Sequence, residues 1–226
     1  MLDTLLELDR SLLLFFNQGH SLYGDQVMWI YTGKLVWIPL ILSMIYVAFR
    51  SGGWKEGLWL VVMAGVVVLL CDQFASSVCK PLFERLRPAR DPDIASLVTI
   101  VNGYRGGMYG FFSSHAANAA GIVTFTSLLF RNRLYTVTAE IWALLTCYSR
   151  MYLGVHYPGD ILAGLLWGSL VGWGCYHLYL LGRGWFRLPG GQPYARASRV
   201  RLITAVVYIT FLFILVAAPA LNFSLH

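Results

Sequence analysis

Apolar and polar positions are grouped along the chain in long blocks, and these blocks predict membrane-spanning helices. A helix needs about 20 apolar residues to span a bilayer, so the shorter blocks must extend into their flanking sequences. Six apolar blocks are long enough with their flanks, at residues 35–49, 57–78, 116–130, 134–148, 161–181 and 202–218. We therefore predict an all-α, polytopic membrane protein, a six-transmembrane-helix bundle that forms a single domain over residues 1–226.

The N-terminal stretch, residues 2–16, differs from these blocks because it is amphipathic. Leu5, Leu12 and Phe16 recur at helical spacing, whereas Asp9 and Arg10 interrupt the apolar pattern. A helix that lies in the membrane interface keeps such charges in water, and a spanning helix does not. The pattern favours an N-terminal interfacial helix, and the lack of a basic start argues against a cleaved signal peptide.

Composition agrees with a membrane location. The chain is 58% hydrophobic and 12% charged, with a mean hydropathy of +0.62, which is too apolar for an ordinary soluble domain. A net charge of +6 in a membrane protein marks cytoplasmic loops or an anion site, so we expect no nucleic-acid partner. The four cysteines lie in or beside apolar blocks without ligand-like spacing, which predicts buried thiols.

The charges of the loops predict the orientation in the membrane. If the N-terminus is outside, the cytoplasmic connections are 50–56, 131–133 and 183–201, which hold nine arginines and lysines against one acid, Glu56. The positive-inside rule favours this orientation. Segments 80–112 and 149–160 then lie together on the non-cytoplasmic side.

The segment 149–160 places three ionisable residues between two apolar blocks, where each charge is costly unless function requires it. Pro158 suits a first helical turn, so Asp160 can reach the imidazole of His156, four residues earlier. Arg150 offers a planar fork of donors that suits phosphate oxygens. The segment predicts an oriented, activated histidine beside a bound anion.

Two further segments carry candidate anion-binding residues. Lys80 and Arg87 are seven residues apart, or two helical turns, so we expect them on one face of a helix end. Ser113 and Ser114 open the third predicted span, where serines cap a helix and free amide groups bind phosphate, with His115 facing it. Alone, each segment also fits ordinary capping or a basic membrane boundary.

The connection 88–112 is long for a compact protein and contains four glycines between residues 103 and 110. Such a loop suggests a mobile cover or an entrance. Asp91 and Asp93 lie beside an arginine in this loop, and we predict that they are solvated surface residues and not metal ligands.

Together, the three segments resemble the type 2 phosphatidic acid phosphatase family, which shares its site with vanadium haloperoxidases. The family pattern is K-x6-R-P, P-S-G-H and S-R-x5-H-x3-D. It occurs here in the same order, as Lys80 to Arg87-Pro88, as Phe112-Ser113-Ser114-His115, and as Ser149-Arg150 to His156 to Asp160. The first and third parts are complete and form a strong signal. In the second part Phe112 replaces proline and Ser114 replaces glycine.

The resemblance implies a role for each residue. His156 would be the nucleophile that forms a phosphohistidine, Asp160 would orient it, and His115 would protonate the leaving oxygen and then activate water. The phosphoryl oxygens would be held by Lys80, Arg87, Ser113, the backbone around Ser114, and Arg150. Three cations and the amide groups of a helix start supply the positive charge that phosphoryl transfer needs, so we expect no metal and no other cofactor.

A site at the edge of the bilayer suits a phosphate whose lipid tail stays in the membrane, so we predict a lipid phosphate as the substrate. The family includes undecaprenyl diphosphate, phosphatidylglycerophosphate and lipid A phosphatases, and these motifs recognise the phosphate and not the tail. Undecaprenyl diphosphate is our first hypothesis, by analogy with compact bacterial relatives. Lipid A and phosphatidylglycerophosphate or phosphatidic acid are the alternatives.

Two further classes stay open at the level of sequence. One is a phosphatase of a soluble ester or a haloperoxidase-like vanadate site, and the other is a non-catalytic phospholipid-binding or transport protein. The presence of two histidines with Asp160 argues against mere binding. We expect a location in a bacterial inner membrane with the site facing the periplasm, and the sequence gives no prediction of the oligomeric state.

Overall fold

The computed structural model describes residues 2–186, Leu188, Tyr194 and 197–220, and the regular elements of these residues are all helices. They are α1 (Leu2–Phe16), α2 (Leu22–Thr32), α3 (Ile38–Gln73), α4 (Lys80–Phe83), α5 (Ser114–Phe130), α6 (Arg133–Tyr152), α7 (Pro158–Trp185) and α8 (Ala197–Ala217). Short 3-10 helices cover Leu35–Trp37 and Pro88–Arg90, and a π-helical turn, Phe74–Cys79, joins α3 to α4. The predicted all-α class is confirmed.

Three helical segments are long and apolar enough to cross a membrane: Leu35–Phe83, Pro158–Trp185 and Ser198–Ala217. The first has 49 residues, which would be about 74 Å long as one straight helix, more than twice the thickness of a bilayer core. The structure contains the membrane-type helices that the hydropathy predicts, and the count of six spans stays a prediction.

The long first segment reverses direction near Gly53, whose backbone leaves the helical region at φ 76°. A Cβ atom on Gly57 would lie 2.9 Å from Phe49 Cα, whereas eight residues of continuous helix extend about 12 Å. The chain therefore folds back on itself here, and α3 contains two helical stretches. This reversal agrees with the predicted connection at 50–56.

The centre of the bundle is the contact between α5 and α7. Three glycines recur at every fourth residue of α7, and each faces a backbone carbonyl group of α5: Gly164 faces Ser113, Gly168 faces Ala117 and Gly172 faces Gly121. A Cβ on Gly164 would lie only 2.6 Å from the Ser113 carbonyl oxygen. Small residues at this spacing let two helix backbones touch within a membrane.

This contact brings the N-terminal ends of α5 and α7 together. Ser113 caps α5, since its hydroxyl accepts a hydrogen bond from Ala116 N. The backbone N–H of Ser113 donates to the carbonyl oxygen of Asp160 over 3.1 Å. The first turns of the two helices are thus joined directly, at the end of the bundle where the motif residues lie.

The basic connections meet at the opposite end of the bundle. Glu56 is buried there, accepts a hydrogen bond from the hydroxyl of Tyr179, and forms an ion pair with Arg183, whose Nε lies 2.8 Å from Glu56 Oε1. Arg199 donates to the carbonyl oxygen of Arg50. Glu56 therefore belongs to a buried ion pair and is not an exposed charge of the connection 50–56. Two further basic residues of the predicted cytoplasmic connections lie outside the described residues: Arg187 and Arg196.

Helix α1 forms at the predicted position and packs against the long loop that precedes α5. Its Leu13 is completely buried with Ile94 and Val98 of this loop. Leu5 and Phe15 on its other side are exposed. The amphipathic pattern thus separates a face that contacts the protein from an apolar face that contacts its surroundings, and the interfacial location stays a prediction.

We expect Gly168→Ala to destabilise the protein and to lower its activity, because the new Cβ would overlap the Ala117 carbonyl oxygen and push α5 away from α7. Overpacking of this kind costs about 1–3 kcal/mol. Gly174→Ala is the matched control, since it lies on the same helix with nothing within 4 Å of its Cβ position. Thermal unfolding in detergent should show a lower Tm for Gly168→Ala alone, and equal Tm values would contradict the backbone contact.

Candidate active site

The predicted site residues all lie at the end of the bundle where α5 and α7 begin. Their positions are Lys80 in α4, Arg87 in the segment after it, Ser113, Ser114 and His115 at the start of α5, Arg150 in the last turn of α6, His156 between α6 and α7, and Asp160 in the first turn of α7. His156 and Asp160 are buried, with 1% and 0% of their surfaces exposed. The contacts around His156 define the site.

Asp160 reaches the imidazole of His156, as the four-residue spacing predicts. Helix α7 begins at Pro158, and Asp160 Oδ2 lies 3.4 Å from His156 Nδ1. The same oxygen accepts a hydrogen bond from Tyr157 N over 3.1 Å. A Cβ on Gly110 would lie 3.0 Å from this oxygen, so the loop before α5 approaches the pair closely because it carries no side chain there.

The hydrogen bonds of His156 define its tautomer. Arg87 Nη1 lies 3.1 Å from Nε2, and a guanidinium can only donate, so Nε2 holds the lone pair and Nδ1 holds the proton. Burial lowers the pKa of His156 well below its usual value, and the positive charges of Arg87, Arg150 and Lys80 lower it further. The imidazole is therefore neutral at pH 7, and its lone pair points into a region of positive charge.

The expectation that Lys80 and Arg87 lie on one face of a helix end is wrong. Helix α4 ends at Phe83, and Glu84 adopts a left-handed conformation with φ 44°. Residues 85–87 are then extended and pair with the loop before α5, through the Arg87 N–H to the Met108 carbonyl and the Gly110 N–H to the Arg85 carbonyl. Arg87 reaches the site from this extended segment.

The extended backbone also directs Arg85 into the site, because alternate residues of an extended segment point to the same side. Arg85 Nη1 donates to Asp160 Oδ1 over 2.8 Å, while Arg87 contacts His156. Arg85 Nη2 donates to Asp9 Oδ2 of α1 over 2.6 Å. Neither Arg85 nor Asp9 is among the predicted site residues. An extended segment would place Arg85 on the same side as Arg87, so the two-residue spacing would indicate Arg85 as a site residue if residues 85–87 were predicted to be extended.

Lys80 bridges the π-helical turn and the start of α5. Its Nζ lies 3.1 Å from Ser76 Oγ and 3.3 Å from Ser114 Oγ. The ammonium group is therefore held next to the free amide groups of the α5 N-terminus, where we predicted a phosphate. Ser76 was not predicted, although its four-residue spacing from Lys80 is that of neighbours on one face of a helix and could have indicated it.

Arg150 is held by neutral hydroxyl groups. Its Nη1 donates to Thr32 Oγ1 over 2.6 Å and its Nη2 to the Tyr104 hydroxyl over 3.3 Å. Tyr104 belongs to the loop predicted as a cover, so this loop does contact the site. Arg87 likewise donates to backbone carbonyl groups, those of Tyr109 and Val155.

The prediction that Asp91 is solvated is wrong. Asp91 is buried and accepts hydrogen bonds from the Tyr157 hydroxyl over 2.6 Å and from Arg10 over 3.2 Å. Burial alone would raise the pKa of Asp91, but these donors hold it below its usual value. Asp93 is exposed, as predicted, although it also pairs with Arg10. Asp91 thus ties the loop and α1 to the residue that follows His156.

The charges of the site are arranged in two separate groups. Arg85 takes both of the nearby carboxylates, Asp9 and Asp160. Within the described residues, no carboxylate forms an ion pair with any of the other three cations: Lys80, Arg87 and Arg150. These three retain their charge for an anion, and the half-buried His115 in the first turn of α5 lies on the same side of the bundle.

Comparisons with known proteins agree with this geometry. Residues 57–182, more than half of the chain, match the family model described as PAP2 superfamily. A lipid A 4'-phosphatase of Bacteroides thetaiotaomicron is 42% identical over 79% of this chain and 80% of its own length. Another of Porphyromonas gingivalis is 39% identical over 80% of this chain and 77% of its own length. An undecaprenyl-diphosphatase of Sulfolobus acidocaldarius is 31% identical over 70% of this chain and 71% of its own length.

A solved structure shows the same fold. The crystal structure of a transmembrane PAP2-type phosphatidylglycerolphosphate phosphatase from Bacillus subtilis aligns with a TM-score of 0.57 and 21% identity, over 80% of this chain and 87% of that chain. The resemblance inferred from the three motifs is confirmed. PAP2 family phosphatases are hydrolases that act on phosphate esters, and the chain belongs to the PAP2 superfamily as a membrane lipid phosphatase.

Proposed function

We propose that this lipid phosphatase removes the 4'-phosphate from lipid A. Two relatives named as lipid A 4'-phosphatases carry the proposal, since they are 42% and 39% identical to this chain over about four fifths of its length. Undecaprenyl diphosphate, our first hypothesis, is less well supported, because the relative named for that activity is 31% identical over 70% of the chain. The alternative substrate is therefore favoured over the first hypothesis.

In the first chemical step, His156 attacks the phosphorus atom. Its Nε2 lone pair forms the N–P bond while the bond from phosphorus to the sugar oxygen breaks. His115, which is protonated once the negative phosphate offsets the surrounding positive charges, gives its proton to that leaving oxygen. Asp160, on the Nδ1 side, stabilises the positive charge that the imidazole acquires, and the histidine stays in the required orientation because Asp160 is itself held by Tyr157 N and Arg85.

In the second step, water attacks the phosphohistidine. His115, now neutral, takes a proton from the water as the new O–P bond forms and the N–P bond breaks. The electron pair of that bond returns to Nε2, so His156 is restored with its original tautomer. Inorganic phosphate leaves, and one water molecule has been consumed.

Three cations stabilise the phosphoryl group during both steps. Lys80, Arg87 and Arg150 would bind its equatorial oxygens, together with Ser113 and the backbone amide groups at Ser114. Arg87 now donates to the attacking nitrogen, so its guanidinium must move from Nε2 to a phosphoryl oxygen when substrate arrives.

The surroundings of the site suit a substrate anchored in a bilayer. Leu82 and Phe83 lie two and three residues after Lys80 and are 72% and 57% exposed, so α4 has an apolar outer surface beside the proposed phosphate site. A lipid could keep its acyl chains against this surface while its phosphate enters between α4 and α5. We place the protein in a bacterial inner membrane with this end facing the periplasm, as the loop charges predict.

The nucleophile assignment predicts that His156→Ala abolishes phosphate release. Asp160→Asn keeps the nucleophile but weakens its orientation and charge stabilisation, so kcat should fall by roughly 10²- to 10⁴-fold without being lost. His177→Ala is the control, since His177 is exposed on α7 away from the site. Phosphate release by purified protein in detergent measures all three, and unchanged turnover in His156→Ala would contradict the mechanism.

The substrate proposal predicts preferential hydrolysis of lipid A that carries both phosphates, with loss of the 4'-phosphate and retention of the other. The panel should include undecaprenyl diphosphate, phosphatidylglycerophosphate and phosphatidic acid in the same detergent, with mass spectrometry of the products and His156→Ala as a blank. A higher kcat/KM for any of these lipids than for lipid A would contradict lipid A as the substrate, while the protein would still be a lipid phosphatase.

The orientation predicts opposite labelling of two introduced cysteines. Leu97→Cys lies in the loop before α5 and is 63% exposed there, whereas Lys55→Cys lies at the other end of the bundle; the four native cysteines are buried. A membrane-impermeant maleimide should label Leu97→Cys in intact spheroplasts and Lys55→Cys only after lysis. The reverse pattern would place the site on the cytoplasmic side.

A further inference from the structure

A second carboxylate, outside the three motifs, shares the arginine that binds Asp160. Arg85 uses one nitrogen for Asp160 Oδ1, over 2.8 Å, and the other for Asp9 Oδ2, over 2.6 Å. The guanidinium also lies 4.1 Å from the centre of the Tyr157 ring. One planar fork is thus held between a carboxylate of α1 and a carboxylate of α7.

The same Asp9 also holds the start of α7. Its other oxygen, Oδ1, accepts a hydrogen bond from the backbone N–H of Gly159 over 2.7 Å. A Cβ on Gly159 would lie 2.8 Å from Asp9 Oδ2, so the glycine is needed for this approach. Gly159 directly precedes Asp160, and Asp9 therefore constrains the backbone from which the Asp160 carboxylate projects.

The two carboxylates, Asp9 and Asp160, stabilise the positive charge of the arginine that they share. Burial lowers the pKa of Arg85, but the negative charges of Asp160 and Asp9 outweigh it and raise the pKa above its usual value. With two carboxylates on one cation, the group keeps a net negative charge beside His156. If Asp9 were neutral, Arg85 would neutralise Asp160 alone, and less negative charge would face the imidazole.

We propose that Asp9 is a positioning residue for the phosphatase reaction, which acts through Arg85 and the α7 N-terminus to hold Asp160 aimed at His156 and to keep this group of charges net negative. This inference rests on the proposed nucleophile and holds for any phosphate ester that the site hydrolyses. It gives α1 a direct part in forming the site, although α1 lies outside the region that matches the family model, residues 57–182.

The proposal predicts a selective loss of turnover in Asp9→Asn. The amide retains the shape and can still accept from Gly159, but it removes the negative charge from Arg85. Loss of such a supporting partner typically lowers activity by roughly 10- to 100-fold, so kcat should fall by this factor. KM should stay within about twofold, because Lys80, Arg87 and Arg150, which bind the phosphate, are unchanged.

Matched variants distinguish the loss of the Asp9 charge at Arg85 from a general change in the charge of α1 and from a loss of stability. Glu7→Gln removes the same charge from an exposed position of the same helix and should leave kcat unchanged. Asp9→Glu restores the carboxylate and should recover part of kcat. In an Arg85→Gln background, adding Asp9→Asn should cause little further loss, since the cation through which Asp9 acts is absent.

The assay uses full-length protein in detergent with lipid A and, separately, phosphatidic acid, with each variant measured at the same interval below its own Tm. A lower kcat with unchanged KM, partial recovery in Asp9→Glu and non-additivity with Arg85→Gln would support the proposal. It would be overturned by a kcat within twofold of wild type, by a loss confined to KM, or by additive losses. Wild-type hydrolysis of phosphatidic acid but not of lipid A would reject the proposed substrate alone.

Discussion

The structure depends on the direct contact between the backbones of α5 and α7. Because three residues of α7, Gly164, Gly168 and Gly172, carry no side chain, the two helices approach closely enough for their N-terminal ends to share a hydrogen bond, from Ser113 N to the Asp160 carbonyl. One turn carries Ser114 and His115, and the other carries Asp160. A single extra methyl group in this interface would push the helices apart, and with them the proposed acid, His115, and the carboxylate that contacts the proposed nucleophile, His156.

The second constraint is the low polarity of the surroundings, in which buried charges must be compensated. In this site Arg85 binds both carboxylates, while Arg87 and Arg150 donate hydrogen bonds to neutral carbonyl and hydroxyl groups. Neutral partners stabilise a guanidinium without cancelling its charge. A phosphate that binds these arginines displaces neutral carbonyl and hydroxyl groups. This exchange is more favourable for an anionic substrate than displacement of an aspartate carboxylate would be.

The parts of the fold and the site that sequence could predict are those set by local spacing. The apolar blocks predict the helices. The four-residue spacing of His156 and Asp160, about one helical turn, predicts the contact between these two side chains. The failures have a common physical origin. The seven-residue spacing predicts Lys80 and Arg87 on one helix, because nothing in the apolar pattern marks the left-handed turn at Glu84. The sequence likewise predicts a solvated Asp91, because its partners, Tyr157 and Arg10, are distant along the chain.

The position of Asp9 shows why a motif is an incomplete description of such a site. The residues that we propose to bind phosphate lie between residues 80 and 160, and a family pattern built from them describes only groups expected to touch the substrate. The carboxylate of Asp160, however, is oriented through Arg85, which is not a motif residue, and through α1, which lies before the matched region. In an apolar environment a buried ion cannot rely on water for its remaining hydrogen bonds, so its partners must come from the protein. The residues that complete the site are consequently found wherever the chain returns to this end of the bundle.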